Sequence, residues 1–126
     1  MTNNGAANTR RRRAEQSGRL AEFAASAAYI LRGYQILERR FRAPQGEIDL
    51  IARRGRLLAF VEVKLRPDID AAILAVTPSW RRRLERAAGS FLSLRPQFVE
   101  FAVRYDIAAV SGWRVAILTD AWRADP

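Results

Sequence analysis

Apolar and polar positions follow two different periods along this chain, and the changes of period divide it into elements. From Glu15 to Arg32, the residues Leu20, Phe23, Ala24, Ala27, Ile30 and Leu31 recur at the 3.6-residue spacing of an amphipathic helix, with Gly33 placed to end it. Tyr34–Phe41 reads as a strand closed by the turn residues Pro44-Gln45-Gly46. Glu47–Arg53 and Leu57–Leu65 are two further β-rich runs, and the Arg53-Arg54-Gly55-Arg56 stretch between them is a hairpin signal. An irregular stretch after Pro67 leads to Thr77-Pro78, an N-cap hydroxyl followed by proline at the first helical position. The second helix then runs from Pro78 to about Leu94, with Leu84, Ala87, Ala88, Phe91 and Leu92 toward the core. Beyond Pro96, Phe98–Val110 and Trp113–Leu118 supply two more strands around Ser111-Gly112. The order αβββαββ, without internal repeats, predicts an α/β or α+β fold in which a mixed sheet is flanked by helices. Residues 1–13 have no apolar period, so they are expected to form a disordered basic tail ahead of a single domain over residues 14–126.

Charge adds a partner to this outline. The 126 residues carry 22 basic and 13 acidic side chains, a formal net charge of +9. Such an excess favours polyanions, above all nucleic acid, because arginine neutralises phosphates and releases their counterions. Arg10–Arg13 lie in the tail and Arg81, Arg82, Arg83 and Arg86 on the second helix, while Lys64 is the only lysine. The chain has no histidine and no cysteine. That excludes a thiol nucleophile, an imidazole base, a Cys/His zinc site and disulfides, and leaves chemistry to carboxylates, hydroxyls, the lysine and water. The longest run without charge, Ala71–Trp80, is ten residues, against the ~20 that a membrane helix needs. Glu15, Arg19 and Glu22 interrupt any resemblance to an export signal. No membrane partner and a cytoplasmic location are the expectations.

Strand periodicity gives the acids a pattern. Alternation puts Glu47 and Asp49 on one face with Ile48 and Leu50 on the other, and Phe60, Glu62 and Lys64 on one face with Ala59, Val61 and Val63 on the other. A hairpin turning around Arg54-Gly55 pairs residues 53 and 56. Glu47 then opposes Glu62 and Asp49 opposes Phe60, with Asp49 and Glu62 as diagonal neighbours about 7–8 Å apart. Glu47, Asp49, Glu62 and Lys64 form one polar cluster in that register. Clustered acids on a largely buried sheet are costly, and a hard divalent cation with oxygen ligands removes the conflict. Lys64 is placed to orient or deprotonate a water, or to hold charge on a phosphate. The competing reading is a charged edge strand with cross-strand ion pairs. Glu22, at about 100° per residue, lies away from the Leu20/Ala24/Leu31 stripe, beside Ser26 and Tyr29, where spacing alone makes it a solvated carboxylate.

The runs Gly46-Glu47-Ile48-Asp49-Leu50-Ile51-Ala52 and Phe60-Val61-Glu62-Val63-Lys64-Leu65-Arg66 resemble the YraN-like family of small predicted endonucleases, similar in turn to archaeal Holliday-junction resolvases of the PD-(D/E)XK nuclease superfamily. The resemblance covers residues ~17–122 and includes Gly18, Glu22, Gly33-Tyr34 and Arg104-Tyr105-Asp106. It implies a restriction-endonuclease-like core. Glu22, Asp49 and Glu62 would surround Mg²⁺ or Mn²⁺, with Glu47 beside them and Lys64 near the attacking water. Trp80 stands where such proteins usually carry a basic residue, followed by Arg81.

Two functions follow. One is a metal-dependent endonuclease acting on structured or branched DNA, with Arg66, Arg81, Arg82, Arg83 and Arg86 on phosphates and Trp80 stacked on a base. A resolvase of this kind would work as a homodimer. The other is a non-catalytic nucleic-acid-binding module that keeps the nuclease fold.

Overall fold

A computed structural model of the chain describes residues 4–124. Helix α1 (Asn4–Leu31) precedes strands β1 (Gln35–Ala43), β2 (Gly46–Arg54) and β3 (Leu57–Leu65). Helices α2 (Ile69–Ala75) and α3 (Pro78–Leu94) follow, then a 3₁₀ turn at Pro96–Phe98 and strands β4 (Ala102–Ser111) and β5 (Arg114–Trp122). The strands form one sheet in the order β1-β2-β3-β4-β5, antiparallel except for the parallel pair β3/β4. The mixed sheet flanked by helices is the predicted α/β class and is compatible with a restriction-endonuclease-like core. Among the described residues no helix is long and apolar enough to cross a membrane.

Each face of the sheet has its own core. On one face, Ala21, Ala24, Ala25 and Tyr29 of α1 pack on Leu50, Ala52, Ala59, Val61, Ala108 and Val110. On the other, Leu84, Ala87, Ala88 and Phe91 of α3, with Ala72 and Val76, pack on Ile48, Ile51, Leu58, Phe60 and Ile107. Helix α3 starts as its sequence requires, with Thr77 Oγ1 accepting from the Trp80 N–H at 3.3 Å and Pro78 in the first turn. Helix α1 ends on Gly33 at φ +86°, where the Gly33 and Tyr34 N–H groups donate to the Ile30 and Tyr29 carbonyls. This is a Schellman closure, which requires the left-handed conformation that glycine adopts without strain.

Three expectations are corrected. Residues 4–13 are part of α1 and not a disordered tail; Ala and Arg are strong helix formers, and a segment exposed from Gly5 onward needs no apolar period. Met1–Asn3 lie outside the described residues. Second, the apolar stripe of α1 is turned outward: Leu20 is 60% exposed, Phe23 58% and Leu31 88%. The sheet face beneath is floored by Ala52, Ala59 and Ala108, so the helix approaches closely on its own alanines, and Glu22, Ser26 and Tyr29 turn inward with them. Third, the stretch after Pro67 holds a short helix, capped by Asp68 accepting from the Ala71 N–H at 2.9 Å.

Two contacts fix the framework around the sheet. Asp106 is fully buried and accepts from Tyr29 Oη at 2.7 Å, from Arg104 Nε and NH2 at 2.8 Å each, and from the Asp120 N–H at 3.0 Å. Arg104 NH2 also donates to Tyr34 Oη at 2.7 Å. This network ties the end of α1 to β4. On the opposite face Gly46 touches α3 so closely that a Cβ would meet the Arg83 carbonyl oxygen at 2.9 Å. Gly46→Ala should therefore push α3 outward and cost about 1–3 kcal/mol, measurable as a lowered midpoint of chemical unfolding.

Candidate functional site

The site begins with the β2/β3 hairpin. Pairing runs from Leu50↔Val61 to Arg54↔Leu57, leaving Gly55-Arg56 as the loop. Gly55 has φ +59°, and a positive φ at the first of two loop positions suits a type II′ turn. The register expected from the sequence, with residues 53 and 56 paired, is thus displaced by two. The displacement brings the acids nearer: Asp49 and Glu62 are the residues next to the last pair of the ladder, Leu50↔Val61. At that step the ladder gives way to a side chain, and Asp49 Oδ2 accepts the Val63 N–H at 2.9 Å.

Strict alternation fails around Asp49. Ile48 packs with α3 and Leu50 with α1, although the sequence pattern puts them on one face. β1 is irregular as well: its register with β2 shifts between Ile36 and Glu38, and Arg40 has φ 56° between the Arg39↔Leu50 and Phe41↔Ile48 pairs, a left-handed conformation uncommon for a residue other than glycine. Two successive side chains of β1 then turn to α1: Arg39 Nε donates to Ser26 Oγ at 3.2 Å, and Arg40 Nε donates to both carboxylate oxygens of Glu22, at 2.7 and 3.1 Å.

The result is a cleft of about 220 Å³ lined by Gly18, Ala21, Glu22, Asp49, Glu62, Val63, Lys64 and Leu65. It brings together Glu22, Asp49, Glu62 and Lys64. Glu47 is not part of it: that carboxylate lies 3.5 Å from Arg42 Nε in an adjoining depression with Trp80 and Arg83. Nor do the acids converge as a trio, since among the described residues no three carboxylates lie close enough together to hold one metal ion. Asp49 and Glu62 form the close pair.

Electrostatics mark that pair. Burial, and then repulsion from Glu62, pushes the Asp49 carboxyl up to about 8, against the opposing bond from the Val63 N–H. Burial also raises Glu62, while the nearby Trp80 N–H and Lys64 favour its charged form. Lys64 Nζ lies 3.5 Å from Glu62 Oε1 and 5.2 Å from the centre of the Trp80 ring. Glu62 Oε2 and Trp80 Nε1 are both buried without a hydrogen-bond partner; the indole N–H is near the carboxylate but not in bonding geometry. A buried carboxylate oxygen with no donor can take a cation. Two hard oxygen donors suit Mg²⁺ or Mn²⁺, which complete their shells with water and phosphate.

The basic candidates divide. Arg82, Arg83, Arg86 and Arg66 are exposed. Arg81 is engaged, with Nε donating to the Val76 carbonyl at 3.1 Å and its guanidinium 5.2 Å from the Trp122 ring centre. Trp80 carries Lys64 and, at 4.9 Å, Arg83 against its ring. Arg40 was not singled out by the sequence; Glu22 was placed at the site by the resemblance alone, while its spacing on the helix left it solvated. For Glu22 a signal existed: Glu22, Ser26 and Tyr29 recur at helical spacing beside Ala21 and Ala25. A left-handed arginine leaves no comparable trace.

A family model described as an uncharacterised protein family, UPF0102, matches residues 21–110. That span includes Glu22, Asp49, Glu62, Lys64 and Asp106. The chain is 44% identical over 117 residues to a UPF0102 protein of Paramagnetospirillum magneticum, covering 89% of this chain and 91% of that one. It is 45% identical to a UPF0102 protein of Rhizobium meliloti, with 84% and 87% covered, and 49% identical to one of Methylocella silvestris, with 82% and 84% covered.

Proposed function

Because this chain belongs to UPF0102, an uncharacterised family, we propose its function from the cleft itself: a metal-dependent endonuclease that hydrolyses phosphodiester bonds of structured or branched DNA. The observation carrying this reading is the buried Asp49–Glu62 pair with its unpartnered Glu62 Oε2. Fold stability gains nothing from two repelling acids in a buried position. Their arrangement makes sense as two oxygen donors held ready for Mg²⁺ or Mn²⁺. The ion, when bound, would supply positive charge to the phosphoryl group and ease deprotonation of the attacking water.

The protein's own groups do the positioning. The Val63 N–H fixes Asp49, and Lys64 fixes one oxygen of Glu62. Lys64, paired with a carboxylate and lying against an aromatic ring, makes two contacts suited to a cation. Its role in this reading is to hold charge on the phosphate. Lys64→Arg keeps that charge and cannot release its proton, so cleavage should survive within about tenfold of the parent, while Lys64→Met should lose it. Rates on one labelled substrate decide between charge holder and base. Nucleic acid is the proposed partner, reached through the exposed Arg66, Arg82, Arg83 and Arg86.

The reading is tested by incubating the protein with labelled four-way junction, flap, single-stranded and duplex DNA, with Mg²⁺ or with chelator. Internal cuts that need Mg²⁺, on a branched substrate first, are expected. Tight binding of the same DNAs without any cut, in Mg²⁺ or Mn²⁺, would instead identify a binding module that keeps the fold.

A further inference from the structure

Arg40 and Glu22 carry an inference that rests on the endonuclease reading and goes beyond it. The helix carboxylate of the cleft is already spoken for, since both oxygens of Glu22 accept from Arg40 Nε, at 2.7 and 3.1 Å. The side chain of Glu22 is 12% exposed and that of Arg40 29%, so the pair sits partly out of water, where a charge-assisted bond holds geometry well. Arg40 uses only Nε for it. Among the described residues its NH1 and NH2 have no hydrogen-bond partner. NH2 lies beside Gly18, 3.9 Å from where a Cβ of that residue would be, and Gly18 lines the cleft with Asp49, Glu62 and Lys64.

We propose that Glu22 is not a metal ligand but the anchor of Arg40, and that Arg40 NH1 and NH2 are the phosphate-binding donors of the cleft. Three observations meet here. No trio of carboxylates near enough for one metal exists among the described residues. The left-handed conformation of Arg40, unusual for any side chain but glycine, is what turns it to the α1 side. Finally, a phosphodiester approaching Asp49 and Glu62 meets two negative groups. Arg40, beside Glu22 and within the field of Asp49, and Lys64, between Glu62 and Trp80, set cations near those acids, and Arg40 presents two parallel N–H donors matched to phosphate oxygens. Arg40 is thus a binding residue and Glu22 the residue that positions it.

The test uses the full chain and four variants: Glu22→Gln, Arg40→Gln, Arg40→Lys and the Glu22→Gln/Arg40→Gln double. Mn²⁺ affinity is measured by calorimetry on the protein alone. Affinity for a short labelled duplex and for a four-way junction is measured by anisotropy in Ca²⁺ over a range of salt. Glu22→Gln should keep its Mn²⁺ dissociation constant within about twofold of the parent. Glu22→Gln and Arg40→Gln should each weaken DNA binding about tenfold, with the double variant no worse than the weaker single. Each should flatten the log–log salt slope by about 0.9, one phosphate contact. Arg40→Lys, which keeps the charge and the least disturbed fold, should fall between Arg40→Gln and the parent. A tenfold or greater loss of Mn²⁺ affinity in Glu22→Gln, with DNA binding and slope unchanged, would make Glu22 a ligand and overturn the proposal. Lowered melting temperatures with unchanged affinities and slopes would reduce the pair to a structural ion pair and overturn it equally. A parent that binds neither Mn²⁺ nor DNA would remove the endonuclease reading first, and this inference with it.

Discussion

Asp49→Asn should give a metal-free protein that melts higher than the parent at pH 8, close to the parent at pH 4, and slower in cleavage by at least about a hundredfold. The Asn side chain keeps the shape of Asp and can still accept the Val63 N–H that Asp49 Oδ2 accepts at 2.9 Å. What disappears is a buried acid repelled by Glu62. The sign follows from proton binding. The carboxyl is pushed up to about 8 in the folded protein, against about 3.9 in an unfolded chain. Between those values the folded state holds a proton that the unfolded state lacks, so stability contributed by the protonated group is present below pH ~4 and is lost as pH rises toward 8. Asn has no proton to lose, and the difference between variant and parent should open across that window. The same change removes one of the two carboxylates of the proposed metal site. If ionised Asp49 instead stabilised the fold, Asp49→Asn would melt lower than the parent at pH 8. Melting curves of both proteins at several pH values, in chelator, separate the two.

Asp106→Ala should have the largest effect on stability. The carboxylate is wholly buried, takes four hydrogen bonds and faces Arg104, whose side chain is itself mostly buried. Removing it leaves the mostly buried Arg104 charge uncompensated, with only Tyr34 Oη still bonded to it, and the buried Tyr29 hydroxyl without its acceptor, costing about 3–5 kcal/mol, or roughly 10–20 °C in melting temperature for a domain of this size. Tyr29→Phe removes one bond and leaves the other three, and should cost about 1 kcal/mol. Because Tyr29 lies seven residues beyond Glu22 on α1, the loss should reach the cleft as well: Asp106→Ala that still folds should bind DNA less tightly. Differential scanning calorimetry of the three proteins orders these effects.

How much of this was legible in the sequence depended on which physical rule governed each element. Helix α3 and strand β3 were readable from end to end, because a capping threonine, an N1 proline and a clean alternation all acted locally. The pairing of Asp49 with Glu62 was readable to within a two-residue slip. Parity, which fixes the face, is set by the burial of the apolar neighbours, whereas the loop length rested on Gly55 and its φ +59°. Helix α1 was misread for a reason of size. Leu20, Phe23 and Leu31 dominate any apolar count, yet a sheet face floored by Ala52, Ala59 and Ala108 selects small partners, and Ala21, Ala24 and Ala25 supply them. That choice of face carries Glu22 into the cleft. Arg40 was out of reach because its conformation arises from the meeting of β1, β2 and α1, and no local residue pattern encodes it.

The metal site itself is tested most directly by titrating Mg²⁺, and in parallel Mn²⁺, into chelator-treated protein and into Asp49→Asn and Glu62→Gln in a calorimeter. The parent should bind one ion at a saturable site that both variants lose, with the protons released on binding at pH 7 coming from the Asp49–Glu62 pair. A parent that takes up neither ion, or variants that bind as well as the parent, would contradict the assignment of Asp49 and Glu62 as the metal-holding pair of this cleft.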